Sequence, residues 1–439
     1  MNRRIAVIGG GWGGCAAAVE LAQRGVAVSL FESSRTLGGR ARRVASDDGP
    51  LDNGQHILSG AYTETLRLMR RVGAEPKRLF LRLPLTLIVP GEMAIRAPRL
   101  PAPLHLAAAL LGAEGLTWHE RLAAMRLMLA LKYKGFRLDS DESVSDLLAR
   151  YRQPAHLRRL LWEPLSLATL NTPTQAASAQ VFAHVLRDTL AGNRAASDLL
   201  LPRTDLSALF PEPAAEFLRQ HGGEVHLSRP VRTLETLSEG GFRLVGEGWS
   251  ETFAAVVLAV APYHAGALLP ELPQTSHCRA VLAGLAHEPI VTCTLGYDVP
   301  IRLPCPMIGL SGGPGQWLFD RSILLGGRKS VVATVISGPG PHQDMSREQL
   351  AEVLHGQISA AIGPLPAPRW HQIITEKRAT FSCRANLNRP QMESGLKGLL
   401  LCGDYVASDY PATLETAVRS GIACAERLAA IFGKTRSRR

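Results

Sequence analysis

The sequence predicts an α/β protein with a parallel sheet that binds a dinucleotide. Three observations predict this fold: residues 5–8 read as a buried strand, residues 9–14 as a glycine-rich turn, and residues 26–32 as a second strand ending in an acid. The alanine-rich segment between the turn and the second strand reads as a helix. This order is typical of a Rossmann-type nucleotide-binding unit.

The glycines of the turn have separate predicted roles. Gly9, Gly11 and Gly14 fill the fingerprint positions for the tight turn, the close approach of backbone to pyrophosphate, and the packing of helix on strand. The helix that begins near Trp12 and Gly13 would hold the two phosphates with its free N–H groups and the positive end of its dipole.

Glu32, at the end of the second strand, is predicted to bind the adenosine ribose. It lies 18 residues after Gly14, near the position at which the fingerprint places an acid that accepts hydrogen bonds from ribose hydroxyls. A carboxylate there would repel a 2′-phosphate, which argues against NADP. Because strand, helix and acid agree, a dinucleotide site is favoured over a turn of purely structural glycines.

The length of the chain and the order of its segments predict two interleaved domains. At 439 residues the chain can bury two cores, and strand-like segments resume near residue 222. The nucleotide-binding fold therefore starts at the N-terminus, resumes near residue 222 and finishes near the C-terminus. We assign 1–60, 222–285 and 390–439 to a nucleotide-binding domain, and 61–221 and 286–389 to an α+β domain that faces substrate and membrane.

Cysteine usage and hydropathy predict the compartment. The seven cysteines are odd in number and scattered, with no CxxC pair, which predicts buried free thiols and no metal site. No apolar run reaches transmembrane length. Arg3 and Arg4 precede an apolar stretch as in a signal peptide, but cleavage would destroy the glycine turn. We expect a cytoplasmic protein.

The net charge of +11 predicts an acidic partner. Nucleic acid is not favoured, because there is no recognition motif and aromatic residues make up only 5% of the chain. Apolar and basic residues mix within 100–135 in the manner of an interfacial helix, with ordinary core packing as the alternative. Together with the basic tail at 434–439, this segment predicts peripheral attachment to anionic lipid on the inner face of the cytoplasmic membrane.

Further motifs resemble the amine oxidase/phytoene desaturase superfamily of FAD enzymes, which have a glutathione reductase-like fold. Those motifs are Gly38-Gly39-Arg40, residues 52–56 (Asp-Asn-Gly-Gln-His), Gly403-Asp404, and residues 411–415 (Pro-Ala-Thr-Leu-Glu). The likeness covers nearly the whole chain. More narrowly, the segments 162–173, 177–182 and 185–188 are similar to the hydroxysqualene dehydroxylases, the squalene-associated FAD enzymes of bacterial hopanoid synthesis.

The resemblance implies how FAD is held. Gly38, Gly39 and Arg40 would approach the pyrophosphate and the ribityl chain, Val231 would offer backbone contacts to the adenine, and Asp404, after Gly403, would bind the ribityl or pyrophosphate. No cysteine follows Gly403-Asp404 as in some covalently linked amine oxidases, so FAD should be bound non-covalently.

Two more segments are expected beside the flavin. Gly54, Gln55 and His56 form a short turn next to the cofactor. Thr413 and Leu414 begin a helix whose N-terminus can stabilise negative charge on a reduced flavin, and the resemblance implies that the Leu414 amide faces the pyrimidine. In this motif Thr416 replaces the usual small residue and could crowd the flavin edge.

The implied reaction is reductive removal of the allylic hydroxyl of hydroxysqualene, a C30 isoprenoid, to give squalene with an unidentified reductant of the flavin. A general acid would help the hydroxyl depart. His56, Asp409, Tyr405 and Glu163 are candidates, and for each a structural role is the alternative. Two other functions stay open: an oxidative carotenoid or phytoene-type desaturase, and a non-catalytic flavin-binding membrane protein.

A C30 chain needs a long apolar tunnel. The helical insertion is rich enough in leucine, alanine and methionine to line it, and we predict that residues 162–173 form part of the wall. Leu167 and Leu170 are the side chains that we expect at the tunnel. The alternative is a helix end that only packs the insertion.

Overall fold

The computed structural model describes residues 4–45, 51–326 and 330–432. It contains a five-stranded parallel sheet made from three separate parts of the chain. In spatial order its strands are Glu224–His226, Val28–Phe31, Ile5–Ile8, Ala255–Leu258 and Leu399–Leu401. The last four are buried on both faces, as parallel strands covered by helices require. The predicted fold class is confirmed.

Two helices that cover this sheet pack very closely against each other. The first helix, Trp12–Gln23, packs against the C-terminal helix, Leu414–Phe432. A Cβ on Gly421 would lie 2.2 Å from the carbonyl oxygen of Gly13, so only glycine allows the two backbones to approach this closely.

Part of the predicted substrate domain packs with the parallel sheet instead. The helix Pro211–Gln220 packs on the first helix, and Thr63–Arg71 packs on the C-terminal helix. Leu66, Leu218 and their neighbours share one core with the parallel strands. Both ends of the 61–221 insertion therefore bury their apolar faces against the nucleotide-binding fold. The predicted domain boundaries stay a prediction.

The other β-structure surrounds this unit. An antiparallel three-stranded sheet contains Thr233–Thr236, Phe242–Gly246 and Trp249–Phe253. A five-stranded antiparallel sheet contains, in spatial order, Met307–Gly309, Trp317–Asp320, Ser330–Ser337, His287–Tyr297 and Trp370–Phe381. The smaller sheets are formed by Arg43–Val44 with Leu51–Asp52, by Leu58–Ser59, Leu199–Pro202 and Phe80–Leu83, and by Thr86–Val89 with Met93–Arg96. The long antiparallel sheet is covered by the helix Arg347–Ile362.

The insertion 61–221, predicted to be rich in helix, is mainly helical between residues 104 and 197. The helices of this stretch are Leu104–Leu111, Trp118–Tyr133, Val144–Arg150, Ala155–Leu157, the π-helical turn Arg158–Trp162, Glu163–Leu170, Ala179–Thr189 and the 3₁₀ turn Arg194–Ser197. Short helices elsewhere are Pro76–Leu79, Leu206–Leu209, Pro262–Leu268, Pro273–Thr275, Ser276–Ala283, Arg321–Leu325 and Pro341–Asp344. Within the described residues, no helix has the length and apolarity needed to cross a bilayer.

Candidate active site

The glycine turn lies at the start of the first helix, beside the parallel sheet. Gly9 has φ of +107°, and a Cβ on it would lie 2.5 Å from the carbonyl oxygen of Ala259. A Cβ on Gly14 would lie 1.9 Å from the carbonyl oxygen of Gly9. At Gly11, in contrast, the nearest atom to a Cβ would be the Gly39 Cα, at 3.9 Å. Gly9 and Gly14 are thus required by packing, whereas the protein leaves space open at Gly11.

Glu32 holds the glycine turn from the end of the second strand. Its Oε2 accepts a hydrogen bond from the Gly10 amide and its Oε1 accepts one from the Ser34 amide, each at 2.7 Å. The side chain is buried and lines the cavity described below. A carboxylate oxygen has more than one acceptor site, so Glu32 can also accept from ribose hydroxyls, as the sequence predicts.

Arg40 and Asp404 form an ion pair that joins the two ends of the chain. The Arg40 Nη2 lies 2.6 Å from Asp404 Oδ1, and its Nη1 donates to the carbonyl oxygen of Ala379 at 2.7 Å. Burial acts to lower the pKa of Arg40, but the neighbouring Asp404 outweighs it, and the net shift is upward. Arg40 therefore brings a fixed positive charge to the cavity wall, which suits an anionic pyrophosphate.

The turn at residues 52–56 is held by an arginine that no sequence motif singles out. Arg321 is 5% exposed, and its Nη1 contacts Asp52 Oδ2 at 3.2 Å and also donates to Gln55 Oε1. Burial raises the pKa of Asp52, and Arg321 opposes that shift. The pair bridges positions 269 apart in the chain, so it fixes the turn against the antiparallel sheet.

His56 lies in the same turn and is neutral near pH 7. Its Nδ1 lies 2.8 Å from the carbonyl oxygen of Gly54, which can only accept, so we assign the proton to Nδ1. Burial lowers the pKa of His56, although the bond to Gly54 partly opposes this. The protonated form that a general acid needs is therefore scarce at neutral pH.

The C-terminal helix begins at the cavity. The Thr413 hydroxyl accepts a hydrogen bond from the Thr416 amide at 3.1 Å, which is an N-cap interaction at the start of Leu414–Phe432. The Thr416 hydroxyl donates to the carbonyl oxygen of Pro411 at 2.8 Å. Thr416 is buried and does not line the cavity, so the predicted crowding of the flavin edge is wrong.

These elements surround one cavity of about 1020 Å³. All of the predicted cofactor-binding residues except Gly14 line it, namely Gly9, Gly11, Trp12, Gly13, Glu32, Gly38, Gly39, Arg40, Gly54, Gln55, His56, Val231, Gly403, Asp404, Thr413 and Leu414. Gly14 is displaced from the wall because it packs against Gly9. The two helix N-termini and Arg40 provide positive potential, and this combination suits a dinucleotide.

Comparison with known proteins agrees with this geometry. The family model described as flavin containing amine oxidoreductase matches residues 13–429. The chain belongs to the flavin containing amine oxidoreductase family. Two curated hydroxysqualene dehydroxylases, from Sinorhizobium fredii and Rhodopseudomonas palustris, are 30% and 31% identical to it over 96% of this chain and 97% of theirs. A 15-cis-phytoene desaturase from Solanum lycopersicum is 24% identical over 97% of this chain and 77% of its own.

Solved structures of similar fold include an oxidoreductase from Methanosarcina mazei and the cyclohexylamine oxidase of Brevibacterium oxydans. The first has a TM-score of 0.73 at 13% identity and covers 96% of this chain and 100% of that one. The second has a TM-score of 0.69 at 18% identity and covers 98% and 99%. At these identities the likeness shows the fold.

As a member of this family the protein is an oxidoreductase with FAD as its cofactor. The residues present fit FAD: the open space at Gly11 adjoins the start of a helix, and Glu32, Arg40 and Asp404 line the same cavity. All seven cysteines lie in the described ranges as free thiols, and none lines the cavity. No thiol is therefore placed to bind the flavin covalently, in keeping with the predicted non-covalent FAD.

The cavity continues into an apolar section beyond the cofactor motifs. Its apolar lining consists of Leu85, Leu87, Leu165, Ala168, Val185, Leu190, Leu199, Ile290, Met307, Trp317, Phe319 and Val335. Leu165 and Trp317 also line a second, adjoining cavity of about 190 Å³. The two cavities therefore share part of their apolar wall.

The stretch 162–173 contributes to this wall through different side chains from those predicted. Leu165, Ala168 and Thr169 line the cavity. Leu170 is 1% exposed in the core, and Leu167 points toward Gly338, where a Cβ would lie 3.2 Å from its Cδ1. The prediction for Leu167 and Leu170 is wrong because the helix Glu163–Leu170 turns a different face to the cavity.

The structure separates the candidates for the general acid. Asp409 is exposed and does not line the cavity, and its carbonyl oxygen lies 3.0 Å from the His184 ring nitrogen Nδ1. Glu163 pairs with Arg158 away from the cavity. Tyr405 reaches the cavity, but burial raises its pKa far above the ordinary value. None of these side chains, nor His56, combines a position at the cavity with a proton that is readily transferred near pH 7.

Proposed function

We propose that this protein removes the allylic hydroxyl of hydroxysqualene by reduction and releases squalene and water. The observation that carries the proposal is the identity of 30% and 31% to two hydroxysqualene dehydroxylases over nearly the full length of both chains. The phytoene desaturase is more distant, which does not favour oxidative desaturation. The resemblance also implies a place in hopanoid synthesis, and that place is part of the proposal.

The reaction breaks one C–O bond, forms one C–H bond and consumes a hydride and a proton. Bound FAD, once reduced, supplies the hydride. A reductant of the flavin is therefore a required partner. The chain's own contribution is an apolar wall that excludes water, and fixed charges at Arg40 and at the Leu414 helix start that hold the cofactor.

Anaerobic turnover tests this function. The FAD-loaded protein, reduced chemically, is mixed with hydroxysqualene, and the products are separated by gas chromatography. Formation of squalene, with reoxidation of the flavin, is the expected result. The oxidised protein given phytoene tests the desaturase alternative. Absence of any spectral change with either substrate would support a non-catalytic flavoprotein instead.

Leu165→Gln should lower the turnover of hydroxysqualene about tenfold while the FAD content stays at the wild-type level, because an amide placed in an apolar cavity carries a desolvation cost of about 1–3 kcal/mol. Leu167→Gln is the matched control on the same helix, since Leu167 is partly buried but faces Gly338. Turnover and flavin absorbance are measured for both. Equal losses of turnover in the two variants would contradict the assignment of the wall.

We also propose that the protein attaches peripherally to the cytoplasmic membrane through an apolar face. We define the apolar face as Leu100, Leu104, Leu111, Trp118, Leu122, Leu129 and Tyr133, all of them exposed. Trp118 is 64% exposed and Tyr133 95%. On the helix Trp118–Tyr133 its members are spaced by 4, 7 and 4 residues, which a period of 3.6 brings to one side.

Basic side chains adjoin members of the apolar face along the chain. Arg99, Arg126, Lys132 and Arg137 are exposed near it. Leu127 and Leu131 of the same helix are fully buried, so core packing accounts for one face and leaves the other without a partner in the described structure. Apolar and basic residues together support an anionic lipid surface as the partner. The basic tail at 434–439 lies outside the described residues.

Leu122→Glu with Leu129→Glu should lower recovery on anionic vesicles at least about tenfold, since each buried leucine contributes roughly 1.5–3 kcal/mol. Val353→Glu is the matched control, because Val353 is an exposed apolar residue on another helix. Sedimentation with phosphatidylglycerol vesicles, at low and high salt, measures the recovery. Failure of the wild-type protein to sediment with either anionic or neutral vesicles would refute membrane attachment.

A further inference from the structure

A charged cluster lies on the cavity wall apart from the cofactor motifs. On the helix Ala179–Thr189, the side chains of Val185, Asp188 and Thr189 line the cavity, as spacings of three and four residues on one helix face allow. Tyr410 lines it too, directly before the segment 411–414 that lies at the start of the C-terminal helix. The cluster therefore joins the apolar section to the predicted flavin end.

The members of the cluster hold one another in place. Arg187 Nε donates to Asp188 Oδ1 at 2.6 Å, and its Nη2 reaches Oδ2 at 3.3 Å. The Tyr410 hydroxyl is hydrogen-bonded to Asp188. The Arg419 guanidinium lies 5.5 Å from the centre of the Tyr410 ring. These contacts orient a carboxylate and a phenol toward the same space.

Both groups have a definite protonation state near pH 7. Burial acts to raise the pKa of Asp188, but the bonds from Arg187 and Tyr410 outweigh it, so the net shift is downward and the group is ionised. Burial and the neighbouring carboxylate raise the pKa of Tyr410, which keeps its proton. About a third of the Asp188 side chain, 31%, stays accessible. Since the Tyr410 proton bonds Asp188, the pair offers acceptor oxygens to a ligand.

Three other hydroxyl groups at this wall already donate to the backbone. Thr169 donates to the carbonyl oxygen of Leu165, Ser59 to that of Ala196, and Thr189 to that of Val185. A hydroxyl on a ligand in an apolar cavity needs a partner, because burying it without one costs about 1–3 kcal/mol. The Asp188 carboxylate and the Tyr410 phenol can provide that partner.

We propose that Asp188 and Tyr410 form the subsite that binds the hydroxyl group of the isoprenoid alcohol. The inference rests on the proposed function. It assigns substrate recognition to this pair: the carboxylate accepts from the hydroxyl of the alcohol, and the phenol, which donates to Asp188, holds that carboxylate in place. Squalene, which lacks the hydroxyl, leaves the pair without a ligand partner and should bind more weakly.

Binding of two ligands that differ in this one group tests the subsite. The FAD-loaded wild type, Asp188→Asn and Tyr410→Phe are titrated with hydroxysqualene and with squalene, and the flavin absorbance change reports binding. We expect the wild type to prefer the alcohol about tenfold, and either variant to lose most of that preference while its affinity for squalene is unchanged. Val185→Ala, on the same helix face, should weaken both ligands equally.

The subsite and the proposed function can be refuted independently of each other. A wild-type protein that forms squalene but binds both ligands equally would keep the function and overturn the subsite. Preference for the alcohol that survives in both variants would also overturn it. A wild-type protein that prefers the alcohol, loses the preference in both variants and forms no squalene would support the subsite and contradict the function. FAD content and melting temperature of each variant verify its fold.

Discussion

Gly11→Val should give a colourless protein whose fold is intact. Gly11 has φ of −73°, which any residue adopts, and the nearest protein atom to a Cβ there would be 3.9 Å away. The valine side chain would instead enter the cavity at the start of the first helix, where the phosphates are expected. We expect FAD affinity to fall at least about a hundredfold, or about 2.8 kcal/mol.

Melting temperatures of the apoproteins show whether the fold is intact. Bound ligand itself raises the melting temperature, so the variant is compared with wild type stripped of flavin. Gly14→Ala is the contrasting variant, because its Cβ would lie 1.9 Å from the Gly9 carbonyl oxygen and should destabilise even the apoprotein. Gly356→Val, with open space around it on a surface helix, should change neither property. Normal flavin content in Gly11→Val would contradict the site.

Arg389→Met should destabilise the holoprotein by about 3 kcal/mol or more, because several buried carbonyl groups lose their donor. Arg389 is 8% exposed. It donates to the backbone carbonyl oxygens of Asp404, Tyr405, Val406, Ser408 and Tyr410 at 2.6–3.2 Å. One guanidinium thus holds the whole loop that carries Asp404 toward the cofactor and Tyr410 toward the apolar section.

The measurement is denaturant unfolding with FAD content followed in parallel. Arg389→Lys should recover only part of the stability, because an ammonium has three donors and cannot match the fork of the guanidinium. Arg427→Met is the surface control, since Arg427 is more than half exposed and lies 3.7 Å from Glu393. Its effect should stay within about 0.5 kcal/mol. Equal stability of the Arg389 and Arg427 variants would refute the role of Arg389 in the loop.

The cofactor half of the site could be predicted from sequence because its geometry is local. A strand, a turn with Gly9 and Gly11, and a helix form one short segment, and the carbonyl oxygen that requires glycine at position 14 belongs to Gly9 in the same segment. The oxygen that requires Gly9 belongs to Ala259, which only the fold brings beside the turn. Glu32 bonds the same turn. The resemblance added Arg40 and Asp404, which the fold brings together as an ion pair.

The apolar section and its charged groups could be found only in the tertiary structure. Arg321 contacts Asp52, which lies 269 positions away in the chain. Arg389 binds backbone carbonyl oxygens, and a sequence pattern does not mark such partners. Asp188 and Tyr410 are both ordinary surface residues by type, and they share a wall because a helix of the insertion packs beside the C-terminal segment.

Residues 162–173 illustrate the same division. The sequence by itself predicted that the segment is helical and contributes to the cavity wall, since apolar spacing and family motifs are local properties. Which leucine faces the cavity was decided by the π-helical turn Arg158–Trp162, which precedes the helix, and by the packing of Leu167 toward Gly338. One extra residue in a helical turn rotates every following side chain, and the sequence pattern does not report that rotation.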